Sequence, residues 1–399
     1  MIELDKLYRI ALENAALTRD YKKRFIYEKL KKLTNSKGRG AFLISGLRGI
    51  GKTTVMLQIF DELKNAFYFS ADSSLIRTES IYTTTEQAYR NGYKFIFIDE
   101  IHKYPKWVSE LKNIYDDFNV KVIASGSSTA AIRKGSIELG RRAMDIEMSP
   151  LTFKEFFYLN EGEKYTADMS EVLDKRSAIK WLAEHPRVER YYKNYLDYGG
   201  FPIAKTDEKT IFKLIRRMIY EDALAEFSLT RNKVDVAEKL LGFLSVSKLG
   251  EFSYTSFSST SGYAKSTIYD VVNMLKELDI LTGIEQESAK SKANEIIKLM
   301  FFHPNLRNAV AEQLMKKAEI GSLREEYFVF HMREIGIPVF IPKKMKKNPD
   351  YLVKINNKKM LFEIGGRSKT NKQLSGKDGT VLGDEALIVL GFVQKTDRK

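Results

Sequence analysis

The strongest constraint on the fold is a glycine-rich segment, GLRGIGKT, at Gly46–Thr53. It follows an apolar run at Ala41–Ser45, typical of a buried strand, and it opens a segment with helical periodicity at Lys52–Leu63. In a strand, loop and helix of this kind, glycines allow backbone N–H groups to turn toward phosphate oxygens, and the helix N-terminus adds its positive dipole. The sequence therefore predicts a Walker A phosphate-binding loop. Its predicted nucleotide contacts are Gly46, Leu47, Arg48, Gly49, Ile50, Gly51, Lys52, Thr53 and Thr54.

A pair of carboxylates adds the chemistry of hydrolysis. The apolar strand candidate Tyr93–Glu100 ends in Asp99 and Glu100. We expect Lys52 to reach the β and γ phosphates of ATP, and we expect Thr53 and Asp99 to hold Mg²⁺ through their oxygens. Glu100 is then placed to polarise a water for attack on the γ-phosphate, which is typical of ATPases and disfavours a small-molecule kinase. The alternative is an exposed acidic pair at the end of a strand.

Polar and basic residues further along the chain are candidates for the remaining catalytic roles. The strand candidate Val120–Ser128 ends in SGSS. Ser127 is the predicted sensor of the γ-phosphate, and Ser125 is the second candidate, if this strand lies between the two Walker strands. Arg141 and Arg142 are predicted to stabilise transition-state charge, within one chain or toward a neighbouring subunit of a homo-oligomer. A solvated basic turn is the alternative for the two arginines.

The order of strand and helix candidates predicts the architecture. Strands alternate with helices before Pro150, which predicts an α/β fold with a parallel sheet and ligands at the carboxyl ends of its strands. A helical lid follows, broken by YGGFP at Tyr198–Pro202. Val234–Gln286 has the pattern of a winged helix-turn-helix: a helix, a short turn, a second helix over residues 252–281, and a β-like tail. Strand candidates at Tyr351–Ile355 and Lys359–Ile364 predict a small α/β domain. The predicted domains are 1–155, 156–233, 234–295 and 296–399.

Composition narrows the partners and the compartment. The chain carries 66 Lys and Arg against 52 Asp and Glu, a formal net charge of +14, which favours polyanions such as DNA; a Lys-rich surface that serves solubility is the alternative. The absence of Cys excludes disulfides and thiolate zinc sites, and the four His form no HxxxH-type pair. There is no basic-then-apolar leader and no apolar run of about 18 residues. We therefore expect a cytoplasmic protein without a membrane partner.

Several of these motifs together resemble a known family. GLRGIGKT, FIFIDEIH, ASGSS and LGRRAMDIEMSPLTFKEF resemble the prokaryotic AAA-type ATPases that carry a characteristic C-terminal domain of unknown function. YGGFP, REEYFVFHM and LFEIGGRSK resemble that C-terminal domain. The resemblance implies ATP binding and hydrolysis, a winged-helix module, and a terminal fold similar to PD-(D/E)xK nucleases.

A nuclease of this type needs two acids and a lysine beside Mg²⁺. Asp350 and Glu363 fit the two acidic positions. The position two residues after Glu363 is Gly365 rather than lysine, and Lys369 is the candidate substitute. The alternative is a degenerate fold retained for binding or packing.

Two segments are candidates for DNA contact. In Gly262–Leu281 the apolar residues face a core and leave four residues near a helix N-terminus for phosphates or base edges: Lys265, Ser266, Thr267 and Tyr269. The run KKMKK, close to the predicted nuclease site, supplies Lys343, Lys344, Lys346 and Lys347. Protein interaction is the alternative for the winged helix, and a solvated loop is the alternative for the lysine run.

These predictions support two hypotheses of function. In the first, the chain is a Mg-dependent ATPase that acts as a nucleotide-driven switch and associates with DNA. In the second, it is a nucleotide-gated signalling or scaffold protein whose winged helix binds protein and whose nuclease-like domain is inactive.

Overall fold

The computed structural model describes residues 4–36, 38–77, 79–205, 209–227, 229–250, 252–287, 298–342, 349–355, 358–365 and 379–395. The chain divides into two compact units, Met1–Pro150 and Leu151–Lys399. Each unit has its own sheet and its own core of buried apolar side chains. Within the described ranges, no helix is long and apolar enough to cross a membrane.

The first unit is built on a parallel sheet. Its strands are β1 (Gly40–Ser45), β2 (Ala66–Ser70), β3 (Phe95–Asp99), β4 (Lys121–Gly126) and β5 (Ala143–Glu147). Their order across the sheet is β2-β3-β4-β1-β5, and every pair is parallel. β1, β2, β3 and β4 are buried along most of their length, as expected for a parallel sheet covered on both faces, whereas the edge strand β5 is largely exposed. The predicted α/β fold with a parallel sheet is therefore confirmed.

The register of the sheet aligns the strand ends that carry polar residues. β4 lies between β1 and β3, the two Walker strands, which is the condition on which the sensor assignment depended. Ser45 pairs with Gly126, and Ser70 pairs with Asp99. The loop after β1, the acids at the end of β3 and the serines at the end of β4 therefore meet at one edge of the sheet.

Helices precede the sheet or follow its strands. They are α1 (Leu4–Ala16), α2 (Ile26–Thr34), α3 (Lys52–Glu62), α4 (Ser74–Arg77), α5 (Ile81–Arg90), α6 (Trp107–Asp117) and α7 (Thr129–Leu139). α1 and α2 precede the sheet, and α3 begins at Lys52, as the periodicity predicts. Short 3-10 turns follow β3 at Ile101–Lys103 and α7 at Gly140–Arg142. α7 begins after Ser128 because the Ser128 hydroxyl accepts from the Ala131 N–H and so caps the helix.

The second unit begins with a run of short helices over the predicted lid. They are α8 (Phe153–Glu161), α9 (Met169–Leu173), α10 (Lys175–Glu184), α11 (Val188–Asn194), α12 (Thr210–Arg217) and α13 (Ala223–Glu226). π-helical turns at Tyr195–Gly199 and Met218–Asp222 and a 3-10 turn at Pro202–Lys205 join them. Gly162, in the left-handed region, ends α8, and its N–H donates to the Tyr158 carbonyl.

Three helices and a β-hairpin follow. They are α14 (Arg231–Val246), α15 (Tyr254–Ser261), α16 (Lys265–Glu277), β6 (Leu281–Ile284) and β7 (Lys298–Phe301). β6 pairs with β7 in antiparallel register. The sequence predicted one helix where α15 and α16 lie; Gly262, at φ 78°, ends α15 and separates the two. The predicted core residues of α16 are all buried: Ile268, Val271, Val272, Leu275 and Leu278.

The C-terminal part of the second unit combines helices with a second sheet. Its elements are α17 (Pro304–Gln313), α18 (Ile320–Glu334), β8 (Val339–Phe340), β9 (Tyr351–Ile355), β10 (Lys358–Ile364), β11 (Gly379–Leu382) and α19 (Asp384–Leu390). The strand order is β11-β10-β9-β8; β8, β9 and β10 form an antiparallel meander, and β11 is parallel to β10. The strand candidates at 351–355 and 359–364 are thus observed as strands.

One apolar core runs through the second unit. Phe153 and Tyr195 of the helical part share it with Met300 of β7, Phe362 of β10 and Leu387 of α19. The helices after residue 151 and the C-terminal sheet therefore stabilise each other, because neither buries its apolar face alone.

The YGGFP motif is explained by this packing. The Gly200 N–H donates to Asn305 Oδ1 at 2.7 Å, and the His303 ring lies directly against Gly200. The buried His303 Nε2 lies 3.0 Å from the Tyr195 hydroxyl, and burial holds the pKa of His303 well below its ordinary value. The neutral His303 imidazole packs against Gly200, which has no side chain, and this contact joins the turn to α17.

We expect Gly200→Ala to destabilise the second unit by about 1–3 kcal/mol, the usual cost of overpacking. An added Cβ would lie 2.4 Å from His303 Cε1 and 2.9 Å from Asn305 Oδ1. Urea unfolding followed by Trp181 fluorescence, in a chain that also carries Trp107→Phe, measures this unit. Gly250→Ala is the matched control because a Cβ there has no atom within 4 Å. Equal stability of the two variants would show that the contact at Gly200 is not restrictive.

Candidate nucleotide site

The loop between β1 and α3 has the backbone that the glycines predicted. Gly51 precedes α3 at φ 95°, which a residue with a side chain rarely adopts. At Gly46 the chain passes so close to its neighbour that an added Cβ would lie 2.2 Å from the Met148 carbonyl oxygen. These two positions require glycine, so the loop can turn its amides inward at the N-terminus of α3.

Lys52 and Thr53 begin α3 and point to the same site. Lys52 is buried, and its ammonium donates to the carbonyl oxygens of Gly46 at 2.7 Å and Leu47 at 2.8 Å. The Thr53 hydroxyl donates to Asp99 Oδ2 at 2.7 Å. The predicted phosphate-contacting ammonium and the two predicted metal ligands are therefore brought together.

The Asp99 carboxylate accepts hydrogen bonds from several elements. Besides Thr53, Oδ2 accepts from the Tyr68 hydroxyl at 2.9 Å, and Oδ1 accepts from the Ser125 hydroxyl and from the Glu100 N–H at 3.1 Å. Burial and the neighbouring Asp99 charge raise the pKa of Tyr68 well above its ordinary value, so Tyr68 remains a donor. Asp99 is buried, and its charge is compensated by these donors.

Glu100 has an unusual backbone conformation. Its φ is 51°, in the left-handed region, which is strained for a residue with a side chain. The Ser127 hydroxyl donates to Glu100 Oε2 at 2.9 Å, and the buried His102 Nδ1 lies 3.4 Å from the same oxygen. The structure thus brings Ser127 to the acid predicted to act as base, whereas Ser125 contacts Asp99.

Sequence reasoning missed three residues of this site. Arg24, just before α2, donates to the Ile50 carbonyl at 2.7 Å and to the Ser149 carbonyl at 3.1 Å, and so supports the phosphate loop from outside. Tyr68 and His102 are the other two. Tyr68 left a usable signal, because it is a hydroxyl-bearing residue within an otherwise apolar strand; Arg24 left none, because it is distant in sequence.

The two predicted catalytic arginines lie in the 3-10 turn after α7. Arg142 forms a bidentate pair with Asp116 of α6, at 3.0 and 3.1 Å. This pair raises the pKa of Arg142 and lowers that of Asp116, chiefly through the hydrogen bonds between them. Arg141 is exposed. Arg142 is therefore paired with Asp116 within the first unit, whereas Arg141 is exposed at the surface.

The residues predicted to contact DNA lie together on the first turns of α16. Lys265 and Ser266 are exposed, and Thr267 and Tyr269 are half-buried. The lysine run 343–347 lies outside the described residues.

The residues of the predicted nuclease site have structural partners. Asp350 Oδ2 accepts from the Ile364 N–H at 2.8 Å, and Glu363 is buried in β10. The Lys298 ammonium lies 2.9 Å from Glu325 Oε2 and 3.9 Å from Asp350 Oδ1. Burial raises the pKa of Glu325, although Lys298 opposes the shift. In the part of the chain that the structure describes, no group of three or more His, Asp or Glu is arranged to hold a metal ion; Lys369 lies outside that part.

Comparison with known proteins agrees with the geometry of the first unit. Residues 38–157 match the protein family described as AAA domain. The chain is 28% identical to an uncharacterized protein of Methanocaldococcus jannaschii, over 91% of this chain and 86% of that protein. It is 26% identical to the Holliday junction branch migration complex subunit RuvB of Mycoplasmopsis synoviae, over 50% of this chain and 68% of RuvB.

Among solved structures, the Walker-type ATPase of Pyrococcus abyssi matches with a TM-score of 0.43 and 13% identity, over 71% of this chain and 94% of that one. The family match covers the phosphate loop, both acids at the end of β3 and the serines after β4. Residues 38–157, which include this site, are therefore similar to the AAA domain family.

Proposed function

We propose that this chain binds Mg-ATP at the edge of the first sheet and hydrolyses it, so that the nucleotide state acts as a switch. The observation that carries the proposal is the convergence of Lys52, Thr53, Asp99 and Glu100 at the ends of β1 and β3. A phosphate nest, an ammonium and two carboxylates are the parts that phosphoryl transfer to water needs.

The oxygens of Thr53 and Asp99 fit a magnesium ion. They lie 2.7 Å apart, and hydroxyl and carboxylate oxygens are the ligands that Mg²⁺ takes in nucleotide sites. Thr53 and Asp99 would hold the ion, directly or through its water shell. When bound, it neutralises charge on the β- and γ-phosphate oxygens.

Glu100 is the proposed base. Its carboxylate accepts a proton from the attacking water as the oxygen–phosphorus bond forms and the bond to ADP breaks. Ser127 fixes one carboxylate oxygen by its hydrogen bond, which reduces the freedom of the acid to turn away. Arg141 is the better candidate for transition-state charge because Arg142 is paired with Asp116; in a homo-oligomer it would act toward a neighbouring subunit.

We expect Lys52→Ala to abolish ATP binding, because it removes the ammonium that faces the phosphates. Glu100→Gln should leave binding intact and lower phosphate release by roughly 100-fold or more, the usual contribution of a general base. Equilibrium binding of a fluorescent ATP analogue and a phosphate-release assay measure the two effects. Glu138→Gln, at an exposed position of α7, is the isosteric control. Phosphate release at the wild-type rate by Glu100→Gln would remove Glu100 from the base role.

The two serines at the end of β4 should give different defects. Ser127→Ala removes the donor to Glu100 and should lower kcat about tenfold, with little change in KM for ATP. Ser125→Ala removes a donor to Asp99 and should raise the Mg²⁺ concentration needed for half-maximal activity. Steady-state kinetics over ATP and Mg²⁺ titrations separate them, with the exposed Ser109→Ala as control. The assignment is wrong if Ser127→Ala changes only the Mg²⁺ requirement.

DNA association is the proposed output of the switch. Three helices followed by an antiparallel hairpin, in the order α14, α15, α16, β6 and β7, are the element order of a winged helix-turn-helix. The first turn of α16 presents Lys265 and Ser266 to solvent, and the chain carries a net charge of +14. The alternative, a winged helix that binds protein, follows from the small number of basic residues on α16. A nuclease role for Asp350, Glu363 and Lys369 stays a prediction.

Salt dependence separates the two outputs. We expect duplex DNA affinity to fall steeply between roughly 50 and 200 mM salt, because phosphate contacts release counterions. Lys265→Gln should reduce the slope of log affinity against log salt by about 1. Fluorescence anisotropy with and without ATP measures this, and Lys180→Gln, at an exposed position on α10, is the control. Absence of any salt-dependent DNA binding would favour the protein-binding alternative.

A further inference from the structure

A cavity of about 310 Å³ lies where α15 and α16 begin. It is lined by Tyr254, Lys265, Ser266, Tyr269 and Asp270. This volume lies at the lower end of the range for small-ligand sites, roughly 300–1,000 Å³. Lys265, Ser266 and Tyr269 are residues predicted from the sequence to contact DNA. Tyr254 belongs to the preceding helix, α15. The pocket is therefore a property of the folded pair of helices and not of α16 alone.

Two tyrosines give the pocket an aromatic wall. The rings of Tyr254 and Tyr269 have centroids 5.9 Å apart and are tilted by 48°, so each supports the other. The Tyr254 hydroxyl oxygen is shielded from solvent and has no hydrogen-bond partner within the described ranges. Burial raises the pKa of Tyr254 to about 12, so the hydroxyl remains protonated and available as a donor. A shielded hydroxyl of this kind favours a ligand that can accept its hydrogen bond.

The charges at the rim favour an anion beside this wall. Asp270 Oδ2 is paired with Lys233 Nζ at 3.0 Å, so its negative charge is already compensated. Lys265 is exposed and makes no ion pair with any residue that the structure describes. The pocket thus combines an aromatic surface, a hydroxyl donor and one uncompensated ammonium. An aromatic heterocycle that carries a phosphate has the complementary chemistry.

We propose that this pocket receives a single unpaired nucleotide, whose base stacks on Tyr269, accepts a hydrogen bond from Tyr254, and carries its phosphate to Lys265. The proposal rests on the proposed DNA association and specifies which form of nucleic acid is recognised. A base inside a duplex has both faces stacked and its polar edge paired, so it cannot fill such a pocket; an extra, unpaired base can. Stacking is available to every base, so recognition is of unpaired structure and not of sequence.

The test compares two labelled duplexes that differ only in one extra unpaired nucleotide at the centre, with free dAMP and a short single strand as competitors. The intact chain should bind the bulged duplex about tenfold more tightly than the paired one. Tyr269→Leu and Tyr254→Phe should abolish that preference, and Tyr254→Phe should leave affinity for the paired duplex unchanged. Tyr220→Leu, at a tyrosine exposed by 41% and outside the pocket, should keep it. Lys265→Gln, at an exposed position, gives a variant whose folding is not at risk.

Each result has a defined meaning. Loss of the preference in the pocket variants, with the thermal midpoint of Tyr254→Phe unchanged, supports the inference. Equal affinity of the wild-type chain for both duplexes overturns it and leaves DNA association standing. Failure to bind either duplex or dAMP overturns both. Competition by dAMP as strong as by a short single strand supports the pocket and identifies a free nucleotide, not a strand, as its source.

Discussion

The candidate site depends on one buried carboxylate. Asp99 accepts from Thr53 of α3, Tyr68 of β2 and Ser125 of β4, as well as from the Glu100 N–H, so its two oxygens join three neighbouring strands and the helix that follows the phosphate loop. Each hydrogen bond to a charged group contributes about 1.5–3 kcal/mol, whereas an isolated buried carboxylate is strongly unfavourable. The strand order β2-β3-β4-β1 brings these donors to Asp99. The hydrogen bonds that link the strands are therefore also the ones that position the proposed metal ligand.

The position of Glu100 follows from that arrangement. Because its N–H is held by Asp99, the chain must turn immediately after β3, and the turn puts Glu100 in the left-handed region at a cost of order 1–3 kcal/mol. The turn directs the carboxylate toward the end of β4, where Ser127 donates to it and His102 lies 3.4 Å away. The strain is therefore tied to the placement of the proposed base.

The parts of this site that sequence could predict are those whose chemistry is local. The phosphate loop, Lys52 and the acid at the end of β3 are defined by residues a few positions apart, and the structure brings them to one edge of the sheet. Tyr68 is noticeable in the sequence as a hydroxyl in an apolar strand, but its partner follows only from the pairing of β2 with β3. Arg24 could not be predicted, because it belongs to a distant chain segment that packs on the loop. The same limit explains the split of α15 from α16: the serine-rich stretch before Gly262 has no apolar periodicity, and only the left-handed glycine shows where one helix ends.

One buried ion pair links several elements of the second unit. Arg307 of α17 donates to Glu326 of α18 at 2.7 and 2.9 Å and also to the carbonyls of Leu244 and Ser247 at the end of α14, while the Phe301 N–H of β7 donates to the same glutamate. Both charged side chains are fully buried, so removing either one would leave an uncompensated charge and cost about 3–5 kcal/mol. The helix α14, which opens the proposed DNA-binding element, the hairpin strand β7 and the helices α17 and α18 are thus linked through one ion pair. Separating α17 from α18 would leave each charge of this pair without its partner and would break the hydrogen bonds to the end of α14, so these three helices are expected to move together.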